Sequence, residues 1–375
     1  MKPTVASDFL QQLKQRGADS PLLDARLDFM EVEGCRRYVE EMATVDRVFP
    51  DMLPTQASGR WSTTKPPLVN FPKACINPIC EYPKPHESTK SVACWSARDT
   101  ITLDPGEWGL KWDLDGVEAR LFAAYAGDDV DILAFKQGLD LHTMTACTMY
   151  DLPLPLDLVD PHTSPSCAGW RATVKWEGKE DKRRQTAKGV QYGVLQYGVN
   201  EKAASGVRDI EQLGLTRAQL FAVGAKLLAS KPKYVAFKKL SWGQAIEQGQ
   251  TRTFLGRKRR FYPTHQERKR WSQRGMPGDA AKAGLNHRIQ GAVADMMNLT
   301  LIAITDAYLD AVLHLNAHDG ALLGFPAHLK PADVVPVVTP MIAKEWNVEG
   351  HRVPITASGA VVWPGGQSER VVLAC

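Results

Sequence analysis

The clearest alternation of hydrophobic and polar positions begins near residue 108. The run WGLKWDLD (108–115) follows the turn signal Asp104-Pro105-Gly106 and reads as a buried strand. VEARLFAAYAG (117–127) places Val117, Leu121 and Ala124 at helical spacing and ends in glycine, so it predicts a helix. Asp128 and Asp129 are candidate caps for another helix beginning near Val130. Upstream, residues 24–48 read as helix, with Leu27, Met30, Val39 and Met42 among charges. Residues 50–74, rich in Pro, Ser and Thr, read as extended, and 75–94 as an irregular insertion. Downstream, 151–180 is Pro-rich and reads as loop, and a basic helix starts at Lys182. Residues 214–247 read as more helix, and 279–313 as one long helix or two. AVLHLN and ALLGF read as two short strands, with Asp319-Gly320 as the hairpin signal. The pattern predicts an α+β fold in which a long helical block lies between two strand regions.

Length and composition narrow the class. The chain has 375 residues, enough for two or three ordinary domains or one large mixed one. It is 44% hydrophobic and 23% charged, the composition of a soluble globular protein. No apolar stretch reaches the roughly 20 residues that span a bilayer. The start, MKPTVASDFLQQLKQRG, lacks the apolar core of a secretory signal. The expectation is a cytoplasmic protein with no membrane partner. Seven cysteines, at 35, 75, 80, 94, 147, 167 and 375, form no regular framework and read as free thiols in a reducing compartment.

A net charge of +4 does not by itself point to nucleic acid. Its distribution says more, because residues 251–275 carry nine Lys or Arg and one Glu, with Phe254, Phe261, Tyr262 and Trp271 between them. That is a basic surface suited to phosphate, or else a solvated charged loop.

The candidate chemistry starts with two aspartates. Asp113 ends an apolar strand and Asp319 sits at the tip of an apolar hairpin. An ionised carboxylate in such surroundings is costly unless a cation pairs with it. Two carboxylates from separate strands can hold two divalent metals roughly 3.5–4 Å apart. Magnesium suits such a site, since it takes few protein carboxylates and leaves positions for phosphate. Taken alone, Asp319 also reads as an ordinary turn residue.

In KRRQTAKGVQYGVLQYG, Arg184, Lys188 and Tyr192 follow one helical stripe. Two cations one turn apart can bind a triphosphate, and an aromatic one turn further can stack on a base. Gly189 and Gly193 each cost a helix about 1 kcal/mol relative to Ala, which implies close approach of something to that face. A solvated amphipathic helix is the plainer alternative. Cys75, Cys80, His86 and Cys94 are candidate ligands of a structural zinc, although their spacing is not a standard knuckle and free cysteines are the alternative.

These pieces together resemble the family A DNA polymerases, the bacterial DNA polymerase I type. DLDGVEARLFAAYAGDD (113–129) with DLHTMTA (140–146) is similar to the family's first catalytic motif and the helix after it. RRQTAKGVQYGVLQYG (183–198) is similar to its fingers-helix motif, and NHRIQGAVADMM (286–297) to the segment before the second catalytic aspartate. LHLNAHDGALLGFP (313–326) is similar to the catalytic hairpin, and SGRWSTTKPPLVNFP (58–72) to the primer-template segment. The five motifs stand in the family's order, from about residue 24 to the end.

The resemblance implies a right-hand fold. An antiparallel palm sheet carries Asp113 and Asp319, a helical fingers block is inserted, and the thumb is reduced or absent. The implied domains are an N-terminal helical segment, a thumb remnant (1–48), a first palm segment (49–139) with the Cys-containing insertion 73–96, fingers (140–282) and a second palm segment with the catalytic hairpin (283–375). It implies a DNA-directed DNA polymerase that adds dNTPs to the 3′ end of primer-template DNA in replication or repair of a phage or bacterial genome. Two Mg2+ ions, for which Mn2+ can substitute, are held by Asp113, Asp319 and the backbone carbonyl of Leu114. Glu118 is the steric gate against ribose. His142, Arg184 and Lys188 bind the triphosphate, and Tyr192 stacks on the incoming nucleotide. Arg60, Asn70, Asn286 and Gln290 contact primer-template DNA, and His318 sits by the primer terminus.

The chain departs from the family pattern in three places. Gly320 stands where Glu is usual after His-Asp. Tyr197 comes one position late, so that Gln196 shares its template-side place. Only 59 residues precede Arg60, which leads to the expectation of no proofreading exonuclease and of a separate chain supplying thumb, exonuclease or processivity. The rival readings are a single-subunit RNA polymerase, against which Glu118 speaks, reverse transcription as a side activity, and a non-catalytic DNA-binding accessory subunit.

Overall fold

The structure, a computed structural model, describes residues 51–53, 59–64, 103–152, 182–191, 217–275, 277–364 and 368–373. The predicted helix at 24–48 and the residues Asn70, Cys75, Cys80, His86, Cys94, Tyr192, Gln196 and Tyr197 lie outside them.

The central element is strand β3 (Glu107–Leu114), whose alternation settles its two faces. Trp108, Leu110, Trp112 and Leu114 point into the core, while Lys111 and Asp113 point to the open side. It is the middle of a five-stranded antiparallel sheet of order β11 (Ser368–Leu373), β10 (Ala357–Val362), β3, β7 (Gly320–Pro326), β6 (Val312–Ala317). Glycines let the strands approach, since a Cβ at Gly109 would lie 2.9 Å from Val362 and 3.0 Å from Leu103. Smaller pairs are β1 (Asp51–Leu53) with β2 (Ser62–Thr64), β4 (Gln250–Arg252) with β5 (Lys258–Arg260), and β8 (Lys344–Val348) with β9 (His351–Ile355).

Between β3 and β6 the described elements include eight helices: α1 (Val117–Ala126), α2 (Asp129–Lys136), α3 (Leu141–Tyr150), α4 (Lys182–Val190), α5 (Arg217–Ser230), α6 (Pro232–Glu247), α7 (His265–Arg274) and α8 (Asp279–Ala307). A ninth, α9 (Pro331–Ile342), follows β7. The α+β expectation holds. Residues 279–307 form one helix of 29 residues, not two. The basic stretch 251–275 is not a loop. It folds as the β4–β5 hairpin and α7, the latter opened by a capping box in which Thr264 and Glu267 bond each other's backbone N–H. Asp128 caps α2 as its position suggested, accepting from the Asp131 N–H at 3.0 Å. No helix among the described residues is long and apolar enough to cross a membrane.

The core runs from the inner face of the sheet into the helices, with Leu110, Leu121, Phe122, Leu285, Ile289 and Phe325 fully enclosed. Each such side chain contributes about 1.5–3 kcal/mol. Buried polar groups tie the elements together. Tyr234 on α6 donates to Asp131 on α2 at 2.7 Å, and Lys231, directly before α6, meets the same carboxylate at 2.5 Å. The Arg288 guanidinium of α8 lies 4.7 Å from the ring centroid of Tyr125 and 4.8 Å from that of Phe237, two rings that stack on each other, and it pairs with Glu349 on the β8–β9 turn. His287 is fully buried, its Nδ1 3.0 Å from Thr251 Oγ1 on β4.

Candidate functional site

Asp113 and Asp319 are brought together by strand register. Asp113 pairs with Gly320, and the Leu114 N–H donates to the Asp319 carbonyl at 2.9 Å. The turn is not the expected Asp-Gly type. Ala317 pairs with Gly320, so His318 and Asp319 are its two residues, and His318 takes the left-handed conformation at φ 65°. Histidine is among the residues that enter this region more readily than most, and its side chain is exposed there. Gly320 is demanded by packing. A Cβ there would lie 2.5 Å from the Trp112 carbonyl oxygen and 3.0 Å from Asp113 Oδ1. The Asp113 carboxylate therefore occupies the space above the glycine.

Asp113 is exposed and Asp319 half-buried, so both can reach a ligand. Their oxygens suit a hard cation such as magnesium. Among the described residues no group of three or more His, Cys, Asp or Glu side chains is placed to hold a metal without other donors. An ion here would complete its shell with oxygens from substrate or water, which is how magnesium is usually bound. The residues present thus fit the group. The side chain of Leu114, whose carbonyl is the third expected ligand, is buried in the core.

The expected gate and one expected groove contact meet directly. Glu118, in the first turn of α1, forms an ion pair with Arg60, each side chain 14% exposed. The segment carrying Arg60 is pinned to α8, since Trp61 Nε1 donates to Asn298 Oδ1 at 2.8 Å. Sequence reasoning passed over Trp61, although a lone tryptophan in a Ser/Thr/Pro-rich stretch was the available signal. Asn286 and Gln290 lie one turn apart on α8 and are half-buried. The Asn286 Oδ1 is buried and finds no partner among the described residues.

The cationic helix is a packed element rather than a solvated one. Thr186, Ala187 and Val190 are buried along α4 and Lys188 is exposed. Arg184 is engaged side-on by Asp140, with Nε to Oδ2 at 2.8 Å and Nη2 to Oδ1 at 2.9 Å. Asp140 also caps α3, accepting from the Thr143 N–H at 3.0 Å. Burial works to raise its pKa, but the bonds and charge of Arg184 outweigh this and hold it at about 2. His142 Nδ1 lies 2.8 Å from the buried Oε1 of Gln191. Burial lowers the His142 pKa, aided by the charges of Arg184 and Lys188, while Asp140 and Gln191 act in the opposite direction. Asp140 and Gln191 carried no signal of their own in the sequence. The structure brings Arg184, Lys188 and His142 onto two packed helices, α3 and α4, whereas the position of Tyr192 lies outside the described residues.

A model described as DNA polymerase family A matches residues 1–361. This chain belongs to DNA polymerase family A. DNA polymerase I of Pseudomonas aeruginosa is 26% identical to this family A chain over 272 residues, covering 71% of it and 24% of that protein. The thermostable DNA polymerase I of Thermus thermophilus is 24% identical over 315 residues, covering 82% and 32%. The chain thus spans about a quarter to about a third of these relatives' length. A solved structure, the POL domain of Pol1 from M. smegmatis in complex with DNA primer-template and dNTP, superposes with TM-score 0.67 at 21% identity, covering 96% of this chain and 56% of that one. The family A fold is therefore present.

Proposed function

We propose that this family A chain is a DNA-directed DNA polymerase that adds dNTPs to a primer 3′ end by two-metal-ion nucleotidyl transfer. The observation that carries the reading is the hydrogen bond from Leu114 to Asp319. Two acidic residues distant in sequence, Asp113 on β3 and Asp319 in the turn before the neighbouring strand β7, stand side by side at the open face of a sheet. Asp113 and Asp319 would hold Mg2+, with Mn2+ as a substitute, and bound metal would activate the primer 3′-oxygen and stabilise the leaving pyrophosphate. The relative of the same fold was solved with primer-template and dNTP, which supports the same partners here.

The chain's own residues supply position and charge, which is most of what phosphoryl transfer requires. Arg184 and Lys188 neutralise the triphosphate, His142 makes a further phosphate contact, and Tyr192 stacks on the base. Glu118, held by Arg60, walls off the ribose 2′ position. Arg60, Asn70, Asn286, Gln290 and His318 hold the duplex and primer end. The Oδ1 of Asn286 has no partner among the described residues, and a buried acceptor left unsatisfied costs about 1–3 kcal/mol, so a donor such as a guanine amino group in the minor groove would satisfy it. The five-stranded sheet falls within the proposed palm spans 49–139 and 283–375, and α3 to α7 fall within the fingers span 140–282.

Primer extension by the purified chain with Mg2+ and dNTPs tests this directly. Asp113→Asn and Asp319→Asn should each lower kcat by about three orders of magnitude, the several kcal/mol a metal contributes. Extension unchanged in either variant refutes the assignment of that residue.

A further inference from the structure

We propose that Asp140 and Gln191 are positioning residues of the nucleotide grip, each holding a phosphate ligand that belongs to the other's helix. This rests on the polymerase reading of Arg184 and His142. The two contacts are reciprocal. Asp140 opens α3 and orients Arg184 of α4, while Gln191, directly after α4, orients His142 of α3.

Each contact engages one edge of the side chain it orients. A guanidinium has two forked edges. Asp140 takes the Nε/Nη2 edge of Arg184, and the Nη1/Nη2 edge has no partner among the described residues. A phosphate can therefore bind without displacing the carboxylate. Asp140 is itself held, because its Oδ2 also accepts from the Thr143 backbone N–H and hydroxyl. The Arg184 side chain is thereby fixed to the first turn of a helix. On the other side, Gln191 Oε1 only accepts, so a proton of His142 sits on Nδ1, and its Nε2 donates to a phosphate when the ring is the imidazolium, the form that an adjacent phosphate favours. Gln191 is 1% exposed and its oxygen lies 3.4 Å from the Thr145 hydroxyl of α3 as well. Fixing these two side chains in advance removes the entropy cost of ordering them around each incoming nucleotide.

The test is a pair of double-mutant cycles on the full chain with primer-template. It is read as kcat/KM for single-nucleotide insertion and as Kd for a fluorescent dNTP. Asp140→Asn retains the helix cap, since Asn caps as well as Asp, but carries no charge. Gln191→Met retains volume and replaces the amide oxygen with a weakly accepting thioether. Each should lower kcat/KM about tenfold or more with primer-template affinity near that of the unmodified chain, and Asp140→Asn should also lower Tm by a few degrees because the ion pair with Arg184 is lost. Asp140→Asn added to Arg184→Ala, and Gln191→Met added to His142→Ala, should each produce a further loss within about twofold. Full additivity in a cycle, or an unaltered kcat/KM in the single variant, overturns the proposal for that pair. A chain that binds dNTP but extends no primer overturns the polymerase reading, and the cycles in Kd still judge the positioning roles. A chain that binds no dNTP overturns both.

Discussion

Gly320 offers the sharpest test of how the acidic pair is held. The family usually places Glu at this position, which invites the idea that restoring it strengthens the site; the packing says the reverse. A Cβ at residue 320 would sit 2.5 Å from the Trp112 carbonyl oxygen, roughly 0.9 Å short of ordinary contact at 3.4 Å, and 3.0 Å from Asp113 Oδ1. The nearest obstacle is backbone of the central strand, which cannot swing aside as a side-chain tip can. Either β3 and β7 separate, or the Asp113 carboxylate moves. Overpacking of this kind costs about 1–3 kcal/mol of stability. Moving a reacting group by close to 1 Å costs about a hundredfold in rate. Gly320→Ala should therefore lower kcat for single-nucleotide insertion by about one to two orders of magnitude, and Gly320→Glu by at least as much. Both should lower Tm by a few degrees, and a melting curve and a pre-steady-state insertion assay read the two effects separately. A Gly320→Ala chain with unchanged kcat and Tm refutes the claim that close strand approach sets the position of Asp113.

Other outcomes follow from buried polar groups. Lys231→Met strands the Asp131 carboxylate, which is 2% exposed, with the Tyr234 hydroxyl as its remaining strong partner, and should cost about 2–3 kcal/mol by urea unfolding. His287 is held neutral by burial first and by the charges of Arg257, Arg259 and Arg288, its pKa pushed down to about 3. The unfolded chain binds this proton below pH 6.5 and the folded chain does not, so its stability contribution is complete above pH 6.5 and is lost as pH falls toward 3. Between pH 6.5 and 5 the loss should be about 1.6 kcal/mol, and His287→Leu should flatten that slope in urea midpoints measured at the two pH values. Glu118→Ala should raise the rNTP to dNTP ratio of kcat/KM by at least roughly tenfold, an unchanged ratio showing that the gate lies elsewhere.

Local patterning alone determined much of this protein. The strand of Asp113, helix α1 after it, the Asp128 cap, the basic helix from Lys182 and the hairpin of Asp319 were all legible, because each depends on period, caps and turn residues within one short window. Sequence motifs in order also carried the family. The tertiary structure decided what depends on residues distant in sequence. The register that makes His318 and Asp319 the turn and seats Gly320 against Asp113 is set by the pairing of β7 with β3. The hairpin and capped helix within 251–275 drew on packing against α6 and α8, which a charge run hides. Asp140 and Gln191 become visible only as partners, since a carboxylate or an amide acquires a role from the group it meets across space.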